Sequence, residues 1–147
     1  MTIVLDASVI LKWLFDDPER ESQTQEATSL MQAVVDGHLE VLQPIHWAIE
    51  VAAVLARKTP NTAEDNIRLL TALDLATVVD EDILLRACRL SVELDHHLFD
   101  TLYHAVALER SAVLITADEY YLRKAERMGH IRALADWAGG ASDQLDA

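Results

Sequence analysis

The stretch Ile3-Val4-Leu5-Asp6-Ala7-Ser8, near the start of the chain, decides the fold. Its first three residues form a short apolar run rich in β-branched side chains, which predicts a buried strand. Asp6 follows that strand directly, and the apolar residues that resume at Val9 predict a helix from Ser8 to Phe15. A charged side chain therefore lies at the junction between an apolar strand and a helix.

Short apolar strands alternate with helices along the rest of the chain. The further predicted strands cover residues 41–42, 77–79, 112–116 and 131–133. The further predicted helices cover residues 18–35 after the start signal Asp17-Pro18, 44–57, 62–73 with the capping box Asn61-Thr62-Ala63-Glu64, 81–94, 100–109 and 119–128. This alternation favours a parallel sheet that helices cover on both faces. Because ligands bind outside the carboxyl ends of such strands, a polar residue at a strand end is a candidate site residue.

Composition limits the possible classes of protein. With 147 residues, of which 51% are hydrophobic, the chain has the size of one domain and enough apolar sequence for a core. Its 25 acidic and 12 basic residues give a net charge of −13, which argues against broad electrostatic capture of nucleic acid or acidic membrane. The single cysteine, Cys88, cannot form an internal disulfide or a thiolate zinc site. The longest apolar run, residues 51–56, is too short to span a membrane. We expect a cytoplasmic protein with one domain over residues 1–138 and a flexible tail over residues 139–147.

Four acidic residues lie in apolar surroundings: Asp6, Glu50, Asp100 and Asp118. Asp6 and Asp118 directly follow predicted strands, where the crevice of a parallel sheet is expected. Glu50 is the one polar residue between Trp47 and Ala56, in a helix that is apolar nearly all round. Burying a lone carboxylate costs several kcal/mol or forces it to hold a proton, so these positions need an explanation.

A shared metal ion is one explanation. A parallel sheet could bring the four carboxylates together, and they could then stay ionised only with protons or cations beside them. Oxygen ligands select hard cations, so Mg²⁺ or Mn²⁺ is expected. Such a centre can ionise a water and stabilise an in-line phosphoryl displacement, which indicates metal-dependent phosphodiester hydrolysis.

Each acid also has a purely structural explanation. Asp6, Asp100 and Asp118 stand near predicted helix starts, where each could act as an N-cap. Glu50 could pair with His46, four residues before it on the same helix, or face a solvent gap. The inference of a metal site therefore depends on the joint pattern.

The sequence around these acids resembles a known family. The matching pieces, in the family's order and over nearly the whole chain, are Val4-Leu5-Asp6-Ala7-Ser8, Pro44 with Trp47 and Glu50, Phe99-Asp100-Thr101-Leu102-Tyr103 with Ala105, and Leu114-Ile115-Thr116-Ala117-Asp118. They are similar to those of the PIN-domain ribonucleases, specifically the VapC-like toxins of bacterial type II toxin–antitoxin pairs. The resemblance implies an α/β fold, a three-layer α/β/α sandwich with a central parallel sheet.

The resemblance also implies a site and a mechanism. The metal ligands would be Asp6, Glu50, Asp100 and Asp118, holding Mg²⁺ or Mn²⁺. Ser8 and Thr116 match the small hydroxyl residues that support such a site by hydrogen bonding a carboxylate or a metal-bound water. The substrate would be RNA, and the partner would be a cognate antitoxin that blocks the acidic pocket with a basic segment.

Two other functions stay open. One is a phosphatase with Asp6 as nucleophile, although that chemistry usually wants a second acid where Ser8 stands. The other is a non-catalytic module that binds a basic peptide in the acidic pocket. We further expect a homodimer, because the apolar helices at residues 45–57 and 83–94 could bury against another subunit as well as against the core.

Several other residues could carry chemistry. We interpret Cys88 as a small core residue, and His104 as a surface histidine that could otherwise tune a metal-bound water. His96 and His97 are neighbours whose side chains should diverge, so zinc is not expected there. The basic residues around Arg123-Lys124 either hold phosphates beside the acidic centre or form a solvated helix face.

Overall fold

A computed structural model describes residues 1–15 and 22–137. The strands in these residues are β1 (Thr2–Leu5), β2 (Glu40–Pro44), β3 (Ala76–Val78), β4 (Val113–Thr116) and β5 (Ile131–Ala133). The α-helices are α1 (Ala7–Phe15), α2 (Thr24–Val35), α3 (Trp47–Lys58), α4 (Ala63–Ala72), α5 (Glu81–Leu94), α6 (Leu98–Glu109) and α7 (Glu119–Ala125), with short 3-10 turns at Glu126–Met128 and Leu134–Asp136. Each of the predicted strands is present, which confirms the alternating pattern read from the sequence.

The strands form one sheet in the order β3-β2-β1-β4-β5, and all of its strand pairs are parallel. The chain first builds outward from β1 to β3 and then crosses to the other side of β1 for β4 and β5. The point where the order reverses, between β1 and β4, is the place where open parallel sheets bind their ligands. Helices flank this sheet, so the predicted three-layer α/β/α sandwich with a central parallel sheet is confirmed.

The apolar run that defines β1 forms the centre of the core. Ile3, Val4 and Leu5 are each completely buried, as expected for the middle strand of a parallel sheet covered by helices. Helix α6 packs across β1, β2 and β4. The position of the side chains that directly follow these strands is therefore set by the sheet and by its packing against α6.

Two predicted helix starts are wrong by a few residues. Pro44 does not open a helix, because it is the last residue of β2 and pairs in register with Val78. A two-residue turn follows, and α3 begins at Trp47. Helix α6 begins at Leu98, which places Asp100 in its first turn and not at its N-cap.

One predicted helix cap and the start of one predicted helix also need correction. The N-cap of α4 is Thr62, whose side chain makes no capping hydrogen bond, so the predicted capping box is not formed. Helix α2 begins at Thr24, after Gln23 in the left-handed region at φ 64°. The Asp17-Pro18 start signal lies outside the described residues, as does the predicted tail over residues 139–147. By contrast, Asp80 caps α5, accepting a hydrogen bond from the Ile83 N–H at 2.9 Å.

Burial corrects the interpretation of two side chains. Cys88 is exposed, because the buried face of α5 follows the spacing of Ile83, Ala87 and Leu90 and excludes position 88. His104 is completely buried. Its Nδ1 accepts from the Tyr121 hydroxyl at 2.9 Å and its Nε2 donates to the Gly129 carbonyl at 2.7 Å. These two partners satisfy the imidazole inside the core, and burial lowers its pKa.

No helix within residues 1–15 and 22–137 combines the length and the apolar character needed to cross a bilayer.

Candidate active site

Asp6 and Asp118 lie at the carboxyl ends of neighbouring strands. Asp6 follows β1, and its backbone N–H donates to the Ile115 carbonyl of β4 at 3.0 Å. Asp118 follows β4 after one intervening residue. The parallel pairing of β1 with β4 thus brings the two carboxylates to one edge of the sheet, although they are far apart in sequence.

Two hydroxyl groups orient the Asp6 carboxylate. The Ser8 hydroxyl donates to Oδ2 of Asp6 at 2.5 Å, and the Thr116 hydroxyl donates to the same oxygen at 3.2 Å. Among the described hydrogen bonds, none uses the Oδ1 atom of Asp6. The carboxylate is therefore held through one oxygen, and the other is available to a ligand.

The same hydroxyls tie the carboxylate to the loop after β4. The Ala117 N–H donates to the Ser8 hydroxyl at 3.0 Å, and the Asp118 N–H donates to the Thr116 hydroxyl at 3.0 Å. Asp118 then caps α7, because its Oδ1 accepts from the Tyr121 N–H at 3.1 Å. The capping role expected for Asp118 is thus present at the same edge as Asp6.

Glu50 lies in the first turn of α3 and keeps one carboxylate oxygen without a partner. His46 approaches it, with 3.2 Å between His46 Nε2 and Glu50 Oε2. The same Nε2 is 2.7 Å from the Phe99 carbonyl. Because a carbonyl only accepts, the Nε2 proton goes to Phe99 and not to Glu50. Within the described residues, Oε2 of Glu50 is buried with no hydrogen-bond partner.

Asp100 lies in the first turn of α6 and is bound by a histidine that we interpreted differently from the sequence. His96 Nε2 lies 2.8 Å from Oδ2 of Asp100. One ligand atom from each of His96, Asp100 and Asp118 lies within 4.8 Å of the others. His96 therefore belongs to the site, and its spacing of four residues from Asp100 was the signal that could have shown it.

Electrostatics connect the four acids. Burial raises the pKa of Asp6 to about 6, and the charges of Asp100 and Glu50 add to that effect, while the hydrogen bond from Ser8 opposes it. Burial, together with the charges of Glu50, Asp6 and Asp100, also raises the pKa of Tyr103. The pKa of Tyr121 rises through burial and the charges of Asp6, Asp100 and Asp118. The charges of Asp6 and Asp100 thus act on both tyrosines, whereas that of Glu50 acts on Tyr103 and that of Asp118 on Tyr121. Within the described residues, Asp100 and Asp118 join His96 in a group whose ligand atoms lie within 4.8 Å of one another, and Asp6 and Glu50 are not part of that group.

The donor set fits a hard divalent cation. Glu50 Oε2 and the Tyr103 hydroxyl are buried without hydrogen-bond partners in the described residues. An orphaned buried carboxylate oxygen costs free energy unless an ion, a proton or a water satisfies it. Mg²⁺ and Mn²⁺ prefer oxygen ligands and compensate the charge of carboxylates that bind them.

Two surface cavities flank the acids. A cavity of about 380 Å³ is lined by His46, Ile49, Glu50, Ala53, His97, Phe99 and Asp100. A second cavity of about 530 Å³ is lined by Ser91, Asp95, His96, His97, Leu98, Tyr120 and Lys124. Asp100 thus lines the first cavity and His96 the second, and His97 lines both.

Comparison with known proteins identifies the family. The sequence matches the family model of the PIN domain over residues 3–127. No curated protein matches it significantly. Among solved structures, it is similar to a toxin–antitoxin complex from Klebsiella pneumoniae, with a TM-score of 0.64 and 15% identity, covering 90% of this chain and 97% of that one. It is also similar to VapBC-1 from nontypeable Haemophilus influenzae, with a TM-score of 0.62 and 15% identity, covering 92% of this chain and 99% of that one.

At this identity the likeness to the solved structures concerns the fold. The family match rests on the sequence itself and covers every acid of the candidate site. This chain therefore belongs to the PIN domain family.

Proposed function

We propose that this protein is a metal-dependent endoribonuclease, the toxin of a toxin–antitoxin pair, that hydrolyses RNA phosphodiester bonds. The observation that carries the proposal is the buried carboxylate of Asp6, whose pKa is raised to about 6 by burial, with the nearby charges of Asp100 and Glu50 adding to the effect. A cluster kept for stability alone would not gain from such crowding, since each added charge raises the cost of ionising its neighbours. Membership of the PIN family supports a nuclease role for the cluster.

The residues of the chain have distinct tasks in this proposal. Ser8 and Thr116 hold Oδ2 of Asp6, which directs its other oxygen into the site. Glu50 contributes an oxygen that is buried without a hydrogen-bond partner among the described residues, and Asp118 contributes from the end of β4. When bound, Mg²⁺ or Mn²⁺ supplies positive charge for the phosphoryl group and promotes ionisation of a water.

The high net negative charge shapes substrate binding. With a net charge of −13, the chain attracts RNA through few phosphate contacts, so its affinity should fall only gradually with salt. Beyond Asp118, Arg123 and Arg127 lie 3.7 Å and 3.4 Å from the carboxylates of Glu119 and Glu93. Exposed pairs of this kind are weak, so a phosphate can replace the carboxylate at little cost.

We further propose that an antitoxin with a basic segment closes the site. Both solved structures named above are described as antitoxin complexes or as VapBC. In this chain, an exposed apolar surface formed by Ile49 and Phe99 lines the cavity that contains Glu50 and Asp100. A basic side chain would meet the carboxylates while the adjacent apolar residues of the same segment cover Ile49 and Phe99.

The expected homodimer stays a proposal, and α5 offers a surface for it. Leu84, Leu85 and Val92 are exposed on this helix. A second copy that covered them would remove apolar surface from water. Light scattering of the purified chain tests this, with Val92→Glu expected to shift the molar mass towards the monomer.

The experiment that tests the nuclease proposal compares wild type with Asp6→Asn and Asp100→Asn on labelled single-stranded RNA, with Mg²⁺ or with chelator. We expect Mg²⁺-dependent cleavage by wild type and a loss of at least about 100-fold in each variant, because each removes a charge that acts on the reaction centre. Glu64→Gln, an exposed acid on α4, serves as the matched control. A folded Asp6→Asn variant that cuts RNA at the wild-type rate would refute the proposal. Binding of a basic partner without metal binding or cleavage would favour a non-catalytic module.

A further inference from the structure

The imidazole of His96 lies between a carboxylate and an ammonium group. Its Nε2 is 2.8 Å from Oδ2 of Asp100, and its Nδ1 is 3.4 Å from Nζ of Lys124. The side chain is only 6% exposed and packs against the ring of Tyr121, with 4.8 Å between ring centroids. The ring is therefore held in place with its two nitrogens facing groups of opposite charge.

Lys124 is itself anchored. Its Nζ donates to the Asp95 carbonyl at 2.9 Å and lies 4.7 Å from the centre of the Tyr120 ring, within the range of a cation–π interaction. An ammonium group can only donate hydrogen bonds. The nitrogen that faces it, Nδ1 of His96, must then accept, which leaves the ring proton on Nε2, where it is donated to Asp100.

We propose that Lys124 fixes His96 as the Nε2–H tautomer, and that His96 is a positioning residue for Asp100 and not a metal ligand. The inference rests on the proposed function, in which Asp100 is a metal ligand. Proximity alone suggests the opposite, since His96, Asp100 and Asp118 lie close enough to share an ion. A histidine that ligates a metal through one nitrogen donates its other N–H to an acceptor, however, and here that position faces a donor.

This arrangement has a consequence for metal choice. With His96 committed to donation, the ion is offered oxygen ligands only, which suits Mg²⁺ and Mn²⁺. Without the ammonium group, the ring could carry its proton on Nδ1 and offer Nε2 to ions that favour imidazole, such as Co²⁺ or Zn²⁺. Lys124 thus maintains the preference of the site for Mg²⁺ and Mn²⁺, although it does not bind the ion itself.

The first test reads the tautomer directly. Long-range ¹H–¹⁵N NMR of the metal-free, full-length wild-type protein should show His96 protonated at Nε2 and unprotonated at Nδ1. Lys124→Met should lose this preference and bind Co²⁺ about 10-fold more tightly, whereas Lys124→Met combined with His96→Gln should not. A wild-type His96 protonated at Nδ1 would overturn the proposal. So would unchanged Co²⁺ affinity in a Lys124→Met variant whose His96 remained Nε2–H.

The second test separates positioning from ligation by Mn²⁺ titration. A glutamine side chain places an N–H donor near the position of Nε2, so His96→Gln should keep Mn²⁺ affinity within about 3-fold of wild type. His96→Phe should lose about 10- to 100-fold, the usual effect of removing a group that orients a ligand. Equal losses in both variants, or no loss in His96→Phe, would contradict the proposal. Because the NMR test needs neither metal nor RNA, its result is independent of whether the protein proves to be a ribonuclease.

Discussion

The Ser8 hydroxyl donates to Oδ2 of Asp6 at 2.5 Å and accepts from the Ala117 N–H at 3.0 Å. One side chain on α1 thus sets the orientation of the carboxylate at the end of β1 and its spacing from the loop after β4. The distance is at the short end for a hydrogen bond to a carboxylate, as expected for a charge-assisted contact. The sheet therefore places the Asp6 carboxylate, and the Ser8 hydroxyl orients it.

Removing that hydroxyl should weaken metal binding without unfolding the protein. In Ser8→Ala, Asp6 keeps only the Thr116 hydroxyl among its described side-chain donors, and we expect the Mg²⁺ concentration for half-maximal RNA cleavage to rise about 10-fold. Metal titration of the cleavage rate measures this. Thr28→Ala, at an exposed position of α2, is the matched control. An unchanged Mg²⁺ requirement in Ser8→Ala would show that Thr116 alone suffices.

The raised pKa of Asp6 predicts a pH dependence of stability. Asp6 binds its proton more tightly when folded, at a pKa of about 6, than when unfolded, where the ordinary value is 3.8. The folded state therefore holds more protons between these values, and the free energy of unfolding of the metal-free protein should fall as pH rises through this window. The contribution of Asp6 is at most about 3 kcal/mol.

Urea unfolding in chelator at several pH values tests this contribution. In Asp6→Asn the corresponding fall should be absent, so the difference between variant and wild type should grow in favour of the variant from pH 4 to pH 7. Glu64→Gln should run parallel to wild type, because its carboxylate is exposed. A difference in the free energy of unfolding between Asp6→Asn and wild type that stays constant with pH would mean that burial does not raise the pKa of Asp6.

Replacing Tyr103 should increase the stability of the metal-free protein. Its ring is completely buried, and its hydroxyl makes no hydrogen bond of good geometry in the described residues. Burial raises its pKa, as do the charges of Glu50 and Asp6 and the close approach of its hydroxyl to the Glu50 carboxylate. Tyr103→Phe should raise the free energy of unfolding of the metal-free protein by about 1 kcal/mol, because an unsatisfied buried hydroxyl is removed. A loss of stability of similar size would reveal a bound water or proton donor at that hydroxyl.

Replacing Gln43 should cause a large loss of stability. Its buried side chain accepts from the Leu5 N–H at 2.7 Å and donates to the Leu5 carbonyl at 2.9 Å, and so bridges β1 and β2 just before Asp6. Gln43→Leu should cost about 2–4 kcal/mol, because both backbone groups lose their partners. Urea unfolding measures the loss, with the exposed Gln25→Ala on α2 as control. A cost below 1 kcal/mol would mean that the strands close up and pair directly.

The four acids could be selected from the sequence as candidate site residues because each is a charge in apolar surroundings. Asp6 and Asp118 end apolar strands, and the edge they share follows from parallel topology. Gln43 was not recognised, since an amide within a short strand carries no periodic signal, and its hydrogen bonds appear only once β1 and β2 are paired. Tyr103 resembles an ordinary core aromatic in sequence, because its missing partner is a property of three dimensions.

The histidines show why single side chains were harder to place. His96 precedes α6. Because we assumed that its side chain diverges from that of His97, we assigned no role to it. Its spacing of four residues from Asp100, which corresponds to one helical turn, indicated the contact that the structure shows. His104 was interpreted as a surface residue, but it is completely buried. Its burial depends on two partners from later in the chain, Tyr121 and Gly129, that the sequence alone does not connect to it.

The central claim is that the carboxylates share one cation-binding centre, and direct metal titration tests it most sharply. Mn²⁺ binding followed by electron paramagnetic resonance should give a defined site in wild type, with affinity reduced at least about 10-fold in Asp6→Asn and in Asp118→Asn, and unchanged in Glu64→Gln. Competition by Mg²⁺ should displace the bound Mn²⁺. Wild-type protein that binds Mn²⁺ no more tightly than the Asp6→Asn variant would contradict the account.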